Sequence, residues 1–148
     1  MITIQKIERT NLNEVALVKL IKKFSNPKKD LRLTFDARIS DHGSYTYNIK
    51  KKRHEIKVSS RVFQFGARSS KPYELIGTII HELKHVQQQE DLGTNTFFSE
   101  KHSLNKCIKN EAAAAYYSTA EIEARLFEEK NLLAAVDFYC KNNNGVLE

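Results

Sequence analysis

The chain has 148 residues, of which 41% are hydrophobic and 28% are charged, and a net charge of +6; a chain of this size can bury the core of one domain. Its two cysteines, Cys107 and Cys140, have no nearby partner, which excludes a cysteine zinc ribbon and favours a reduced, cytoplasmic protein. No apolar run approaches the roughly 20 residues of a membrane span, and the first ten residues lack a long apolar block, so we expect neither membrane insertion nor a secretory signal.

The first half of the chain predicts one helix followed by a small sheet. Residues 12–24 carry apolar side chains at helical spacing, with lysines on the other face and Asn11 as the N-cap. The Asn26-Pro27 pair ends this helix. Alternation of apolar and polar residues then predicts three strands, at residues 31–39, 44–49 and 54–60. We expect them to form a small antiparallel or mixed sheet.

The second half predicts mainly helices. A long helix begins at Pro72, after Ser69 or Ser70 as the cap, and runs to about Glu90. Two further segments follow: a loop or short irregular helix at residues 94–110, and a strongly helical segment at residues 110–145, with an interruption at Ser118-Thr119. No repeat or linker divides the chain, so the sequence predicts a single α+β domain over residues 1–148.

The predicted helix at 72–90 contains the motif HELKH at residues 81–85. Residues four apart lie on the same helix face, so His81 and His85 can bind one Zn²⁺ together. Glu82 lies about 100° further around the helix, where it can accept a proton from zinc-activated water without being a ligand. The apolar residues of the helix lie on the opposite face. The motif therefore predicts a zinc hydrolase; the alternative is an amphipathic helix with two surface histidines.

Catalytic zinc also needs a third protein ligand. We prefer Glu121, because it lies one turn before Ala124, a small residue that lets its helix approach the HELKH helix closely. Glu123 is the alternative ligand and projects from a different face. Three further side chains are weaker candidates for contacts with the substrate or with a developing oxyanion, namely His102, Tyr116 and Tyr117.

HELKH followed by a downstream helix containing ExxA resembles the small gluzincin metallopeptidases, which include the SprT-like and ImmA-like proteins. The resemblance implies a minimal zincin fold, in which a short sheet packs against the HExxH helix and a second helix supplies the glutamate ligand. It implies that His81, His85 and Glu121 bind zinc and that Glu82 is the general base. The chain departs from the family at Arg125, where many gluzincins carry an aspartate, and it lacks the cysteine ribbon of SprT-type proteins.

The expected function is therefore that of a zinc-dependent peptidase, a hydrolase that cleaves a restricted protein or peptide substrate. The alternative is a zincin-fold binding protein without catalysis, whose basic clusters at residues 19–23, 28–29 and 50–53 dock nucleic acid or an acidic protein. An intact Glu82 favours catalysis, because a purely structural metal site needs no base. The sequence leaves the oligomeric state open.

Overall fold

The computed structural model describes residues 1–6, 12–39, 42–59, 70–93 and 118–146. These residues form four strands and three helices, which confirms the predicted α+β class. In chain order the elements are β1 (Ile2–Lys6), α1 (Glu14–Phe24), β2 (Asp30–Phe35), β3 (Gly43–Asn48), β4 (Arg53–Val58), α2 (Ser70–Leu92) and α3 (Thr119–Asn142).

The four strands form one mixed sheet in the order β1-β2-β4-β3. β2 lies parallel to both β1 and β4, whereas β3 pairs antiparallel with β4 in a hairpin. The mixed alternative is thus the correct one. The strand β1 was missing from the sequence prediction, although Ile2 and Ile4 alternate with polar residues and pack at the edge of the core. β3 is the other edge of the sheet.

β2 ends earlier than the predicted residue 39. The Asp36 side chain turns the chain directly after the strand, since its Oδ1 accepts a hydrogen bond of 2.9 Å from the backbone N–H of Arg38. Such Asx turns compete with the strand hydrogen-bond ladder. The other two predicted strands are correct to within two residues where the structure describes them.

α1 begins at Glu14, later than the predicted residue 12, and its N-cap is Asn13. The Asn13 side chain accepts a hydrogen bond of 3.1 Å from the backbone N–H of Ala16, as an N-cap requires. The predicted cap, Asn11, lies outside the described residues. The helix ends before Asn26, which takes a positive φ of 45°.

α2 occupies the centre of the molecule. Six of its apolar residues are at most 1% exposed and pack with α1 and with the inward side chains of the sheet; they are Leu75, Ile76, Ile79, Ile80, Leu83 and Val86. Burial of each such side chain contributes about 1.5–3 kcal/mol. The helix starts two residues before the predicted Pro72 and ends at Leu92, two residues after the predicted end; Gly93 follows it with a φ of 79°. The predicted apolar face is therefore confirmed.

α3 packs along α2 through another face. It begins after Ser118, whose side chain accepts a hydrogen bond of 3.2 Å from the backbone N–H of Glu121. Part of the predicted helix, at residues 110–117, lies outside the described residues. The buried Tyr139 at the far end of α3 accepts a hydrogen bond of 3.0 Å from the backbone N–H of Asn13, which ties α3 to α1. None of the described helices is long and apolar enough to span a bilayer.

Candidate metal centre

The two histidines of HELKH converge on a single carboxylate. The Nε2 atom of His81 lies 3.1 Å from one Glu121 oxygen, and the Nε2 atom of His85 lies 2.8 Å from the other. One nitrogen from each histidine and one Glu121 oxygen all lie within 4.8 Å of one another. The structure thus brings together the three side chains that the sequence selects as ligands.

This convergence depends on close packing between α2 and α3. Gly77 lies one turn before His81, and a Cβ atom at Gly77 would come within 2.9 Å of Glu128 Oε1 and 3.3 Å of Leu132 Cδ1. Ala124, one turn after Glu121, is fully buried. Small residues on both helices therefore let Glu121 reach the histidines.

The second ring nitrogen, Nδ1, of each histidine also has a hydrogen-bond partner. The Nδ1 atom of His81 lies 3.1 Å from Glu128 Oε2, and the Nδ1 atom of His85 lies 2.8 Å from Gln88 Oε1. The sequence analysis assigned neither residue a role at the site. The signals were the spacings, because Glu128 follows Glu121 by two helical turns and Gln88 follows His85 by about one.

Glu123, the alternative ligand, does not join the cluster of His81, His85 and Glu121. Its Oε2 atom instead accepts a hydrogen bond of 3.0 Å from the Gln88 side chain. On the geometry of the described residues, Glu121 is the better third ligand. Glu123 reaches the cluster only through Gln88, which contacts His85.

The charges of the cluster are strongly coupled. Burial alone would lower the pKa of His81, but its hydrogen bonds to Glu121 and Glu128 outweigh burial and raise the pKa to about 9. Burial would likewise raise the pKa of Glu121, yet the two histidines hold that pKa well below its usual range. The two carboxylates thus favour positive charge at this place, which a divalent cation bound through Nε2 would also supply.

These residues fit zinc. Two imidazole nitrogens and one carboxylate oxygen form a common ligand set of catalytic zinc sites, which keep a fourth position open. Ligating histidines usually donate their other N–H to a carboxylate or carbonyl oxygen, and Glu128 and Gln88 offer such oxygens here. Both the three ligand atoms and the hydrogen bonds at the two Nδ1 atoms are therefore those expected of a zinc site.

Glu82 lies beside the cluster without belonging to it. Its residue is only 6% exposed, and burial raises its pKa to about 7 even though the neighbouring His85 and His81 oppose this shift. It faces the start of β3, where a Cβ atom at Gly43 would lie 3.3 Å from Glu82 Oε1. A carboxyl group with a pKa near neutrality can both accept and return a proton.

Comparison of the chain with protein-family models, with curated proteins and with solved structures finds no match in any of the three. What the chain does is therefore inferred from its own residues.

A second polar network supports the site from the sheet side. The ring of Tyr45, on β3, stacks on His85 with 6.1 Å between ring centroids. The Tyr45 hydroxyl lies 2.8 Å from Nδ1 of the fully buried His54, whose Nε2 lies 2.9 Å from Glu90 on α2. Burial lowers the pKa of His54, although Glu90 opposes this shift. Sequence reasoning missed this network, even though His54 alternates with the inward-facing Ile56.

The remaining candidates lie apart from the centre or outside the described residues. His102, Tyr116 and Tyr117 fall in a segment that the structure does not describe, so their roles stay predictions. In the basic cluster at 50–53, the three lysines are exposed in and beside the β3–β4 turn. Arg53 begins β4 and pairs with Glu55 at 2.9 Å.

Proposed function

We propose that this protein is a zinc-dependent peptidase of the small gluzincin type, with a minimal zincin fold. The observation that carries the proposal is the convergence of His81, His85 and Glu121, with ligand atoms within 4.8 Å of one another, beside the buried carboxyl group of Glu82. The order of sheet, HExxH helix and glutamate-bearing helix supports it, because the resemblance to gluzincins implies the same order.

In this proposal each side chain has a distinct role. His81, His85 and Glu121 would hold the ion. Zinc, when bound, supplies the Lewis acidity that activates water at neutral pH and polarises a carbonyl group. Glu82 takes the proton of the attacking water and passes it to the leaving amine. Its buried position beside the ligand cluster keeps the carboxyl group close to the place where both transfers would occur.

The substrate is a protein or peptide, and we propose a restricted one that is cleaved in the cytoplasm. The attacking water would lie within hydrogen-bond distance of Glu82, on the side of the ligand cluster, and the substrate's reactive carbonyl would lie next to that water.

The alternative is a zincin-fold binding protein that docks nucleic acid or an acidic protein. It is favoured by the exposed lysines in and beside the β3–β4 turn, Lys50, Lys51 and Lys52, which can form phosphate or carboxylate contacts. Binding that weakens with salt and survives removal of the metal would support it over the peptidase.

The first test is elemental analysis of protein purified without chelator or nickel resin. We expect about one zinc ion per chain. Cleavage of a peptide library is then compared among the unsubstituted chain, Glu82→Gln and the matched control Glu74→Gln, which changes an exposed residue of the same helix.

Glu82→Gln should retain zinc and lose activity by about 10²–10⁴-fold, the usual contribution of a general base. Glu74→Gln should retain both. A chain that takes up no zinc, or a Glu82→Gln variant that cleaves as well as the unsubstituted chain, contradicts the proposal.

A further inference from the structure

We infer that Gln88 and Glu128 are positioning residues, which hold His85 and His81 in the one tautomer that turns Nε2 of each ring towards the metal. The inference rests on the proposed zinc site and extends it outwards. Many gluzincins carry a supporting aspartate at the position of Arg125, and in this chain Glu128 would take over that supporting role.

The case for Gln88 comes from its hydrogen-bond partners. Its Nε2 atom lies 3.0 Å from the backbone oxygen of Ala120 and 3.0 Å from Glu123 Oε2. A backbone carbonyl only accepts hydrogen bonds, and so does an ionised carboxylate. The amide nitrogen must therefore face Ala120 and Glu123, and the amide oxygen must face His85.

The orientation of the Gln88 amide decides the tautomer of His85. Gln88 Oε1 lies 2.8 Å from His85 Nδ1, and an amide oxygen only accepts. Nδ1 must then carry a proton, so Nε2, which faces Glu121 at 2.8 Å, is the nitrogen that can give up its proton and bind the metal. Glutamine suits this position better than glutamate, because a second carboxylate would be repelled by Glu123 and by the Ala120 carbonyl.

Glu128 acts on His81 in the same way. Its Oε2 atom lies 3.1 Å from His81 Nδ1, and a carboxylate accepts from that nitrogen. Nε2 faces Glu121 at 3.1 Å, so it is the nitrogen that can give up its proton to bind the metal while Nδ1 stays protonated. Gly77 leaves room for the Glu128 carboxylate, since a Cβ atom at residue 77 would lie 2.9 Å from Glu128 Oε1. The close approach of α2 and α3 thus places the carboxylate beside the ring.

The two positioning residues differ in charge. Glu128 offers a carboxylate and Gln88 a neutral amide, and hydrogen bonds to a charged acceptor are roughly twice as strong. A carboxylate also raises the basicity of the histidine it contacts. His81 should therefore be the stronger donor, and loss of Glu128 should weaken zinc binding more than loss of Gln88.

The test measures zinc affinity of the full chain by competition with a chromophoric chelator. Glu128→Ala and Gln88→Ala should each bind zinc about 10- to 100-fold more weakly, the usual cost of losing such a partner. Glu128→Gln, which keeps an oxygen acceptor, should fall between Glu128→Ala and the unsubstituted chain. Glu129→Ala, an exposed neighbour on α3, should bind zinc unchanged.

Imidazole proton and nitrogen NMR spectra of the zinc-loaded chain supply a second readout. Both histidines should show a protonated Nδ1, and Glu128→Ala should shift or broaden only the signal of His81. Gln88→Ala should do so only for His85. A general structural effect would move both signals together.

The outcomes separate the two proposals. If the unsubstituted chain binds no zinc, the proposed function and this inference both fail. If it binds zinc and the alanine variants match it, only the inference fails. If an alanine variant does not fold, the NMR spectrum of the unsubstituted chain decides, because a protonated Nε2 on either histidine in the zinc-loaded chain overturns the inference.

Discussion

The two faces of α2 contribute to the molecule in different ways. The apolar face, which includes Ile76, Ile79 and Leu83, packs against the sheet and α1. Its contribution to stability depends on the apolar area it buries and on how completely its side chains fill the core. The polar face, defined here as Gly77, His81, His85 and Gln88, meets α3 through specific pairs of atoms. The apolar face should tolerate substitutions that conserve side-chain volume. On the polar face, the replacement of a single donor or acceptor atom should already weaken zinc binding.

The largest expected effect is on the stability of the folded chain when zinc binds at the polar face. A ligand that binds only the folded chain stabilises it by about 4 kcal/mol when its free concentration is 1,000 times its Kd. For a chain of this size that raises Tm by about 8–16 °C. Thermal unfolding with and without zinc measures the shift. Glu121→Ala should remove most of it, and an equal shift in that variant would contradict the proposed ligand set.

On the apolar face, Ile79→Ala should lower the free energy of unfolding by about 2–5 kcal/mol, because it leaves a cavity in place of a fully buried side chain. Ile79→Val, which removes one methylene group, should cost only about 0.5–1.5 kcal/mol. Urea unfolding measures both values. Zinc affinity of the folded variants should stay unchanged; a large loss of affinity would show that the two faces are not separate.

Gly77→Ala should have its main effect on the metal site. The new Cβ atom would press on Glu128, so we expect zinc affinity to fall by about 10-fold, at the low end of the loss for an outer-shell partner. The better helix propensity of alanine, about 0.5–1 kcal/mol, offsets part of the packing cost. Competition with a chelator gives the affinity.

A double-mutant cycle tests whether this effect passes through Glu128. When Glu128→Ala is already present, Gly77→Ala should lower zinc affinity no further. If the two losses simply add, the glycine supports the site by some other route.

The smallest expected effect is a pH dependence of stability on the sheet side. Because burial lowers the pKa of His54 in the folded state, the unfolded chain binds a proton more readily. Stability should therefore be full above the ordinary histidine pKa of about 6.5 and should decline as pH falls below it. The groups facing His54 are Tyr45 and Tyr47 on β3, Glu90 on α2 and Lys29 before β2.

Urea unfolding at pH 7 and pH 5.5 measures this decline, which for one proton is at most about 1.4 kcal/mol for each pH unit. A His54→Asn variant should show a smaller decline than the unsubstituted chain over that interval. Equal declines would show that another group is responsible.

Much of the candidate site was predictable from local spacing. The spacing of His81 and His85 places them on one helix face, and the apolar residues of α2 lie opposite. Glu121 was preferred for its distance from Ala124, and the structure brings it to both histidines. Glu128 was given no role, since a carboxylate on a helix has none until its partner on another element is known. The contact between Gln88 and His85 lies within one helix turn, so it could have been inferred from spacing.

The sequence by itself determined the helical periodicity of α1, α2 and α3, the HELKH face and the apolar face of α2, because these follow from neighbours within a few residues. Only the tertiary structure decided the parallel pairing of β1, β2 and β4, the approach of α3 at Gly77, and the carboxylate oxygen that His81 meets through Nδ1. These features join residues far apart in the chain. Their energies depend on packing and on hydrogen-bond geometry, which local sequence patterns do not encode.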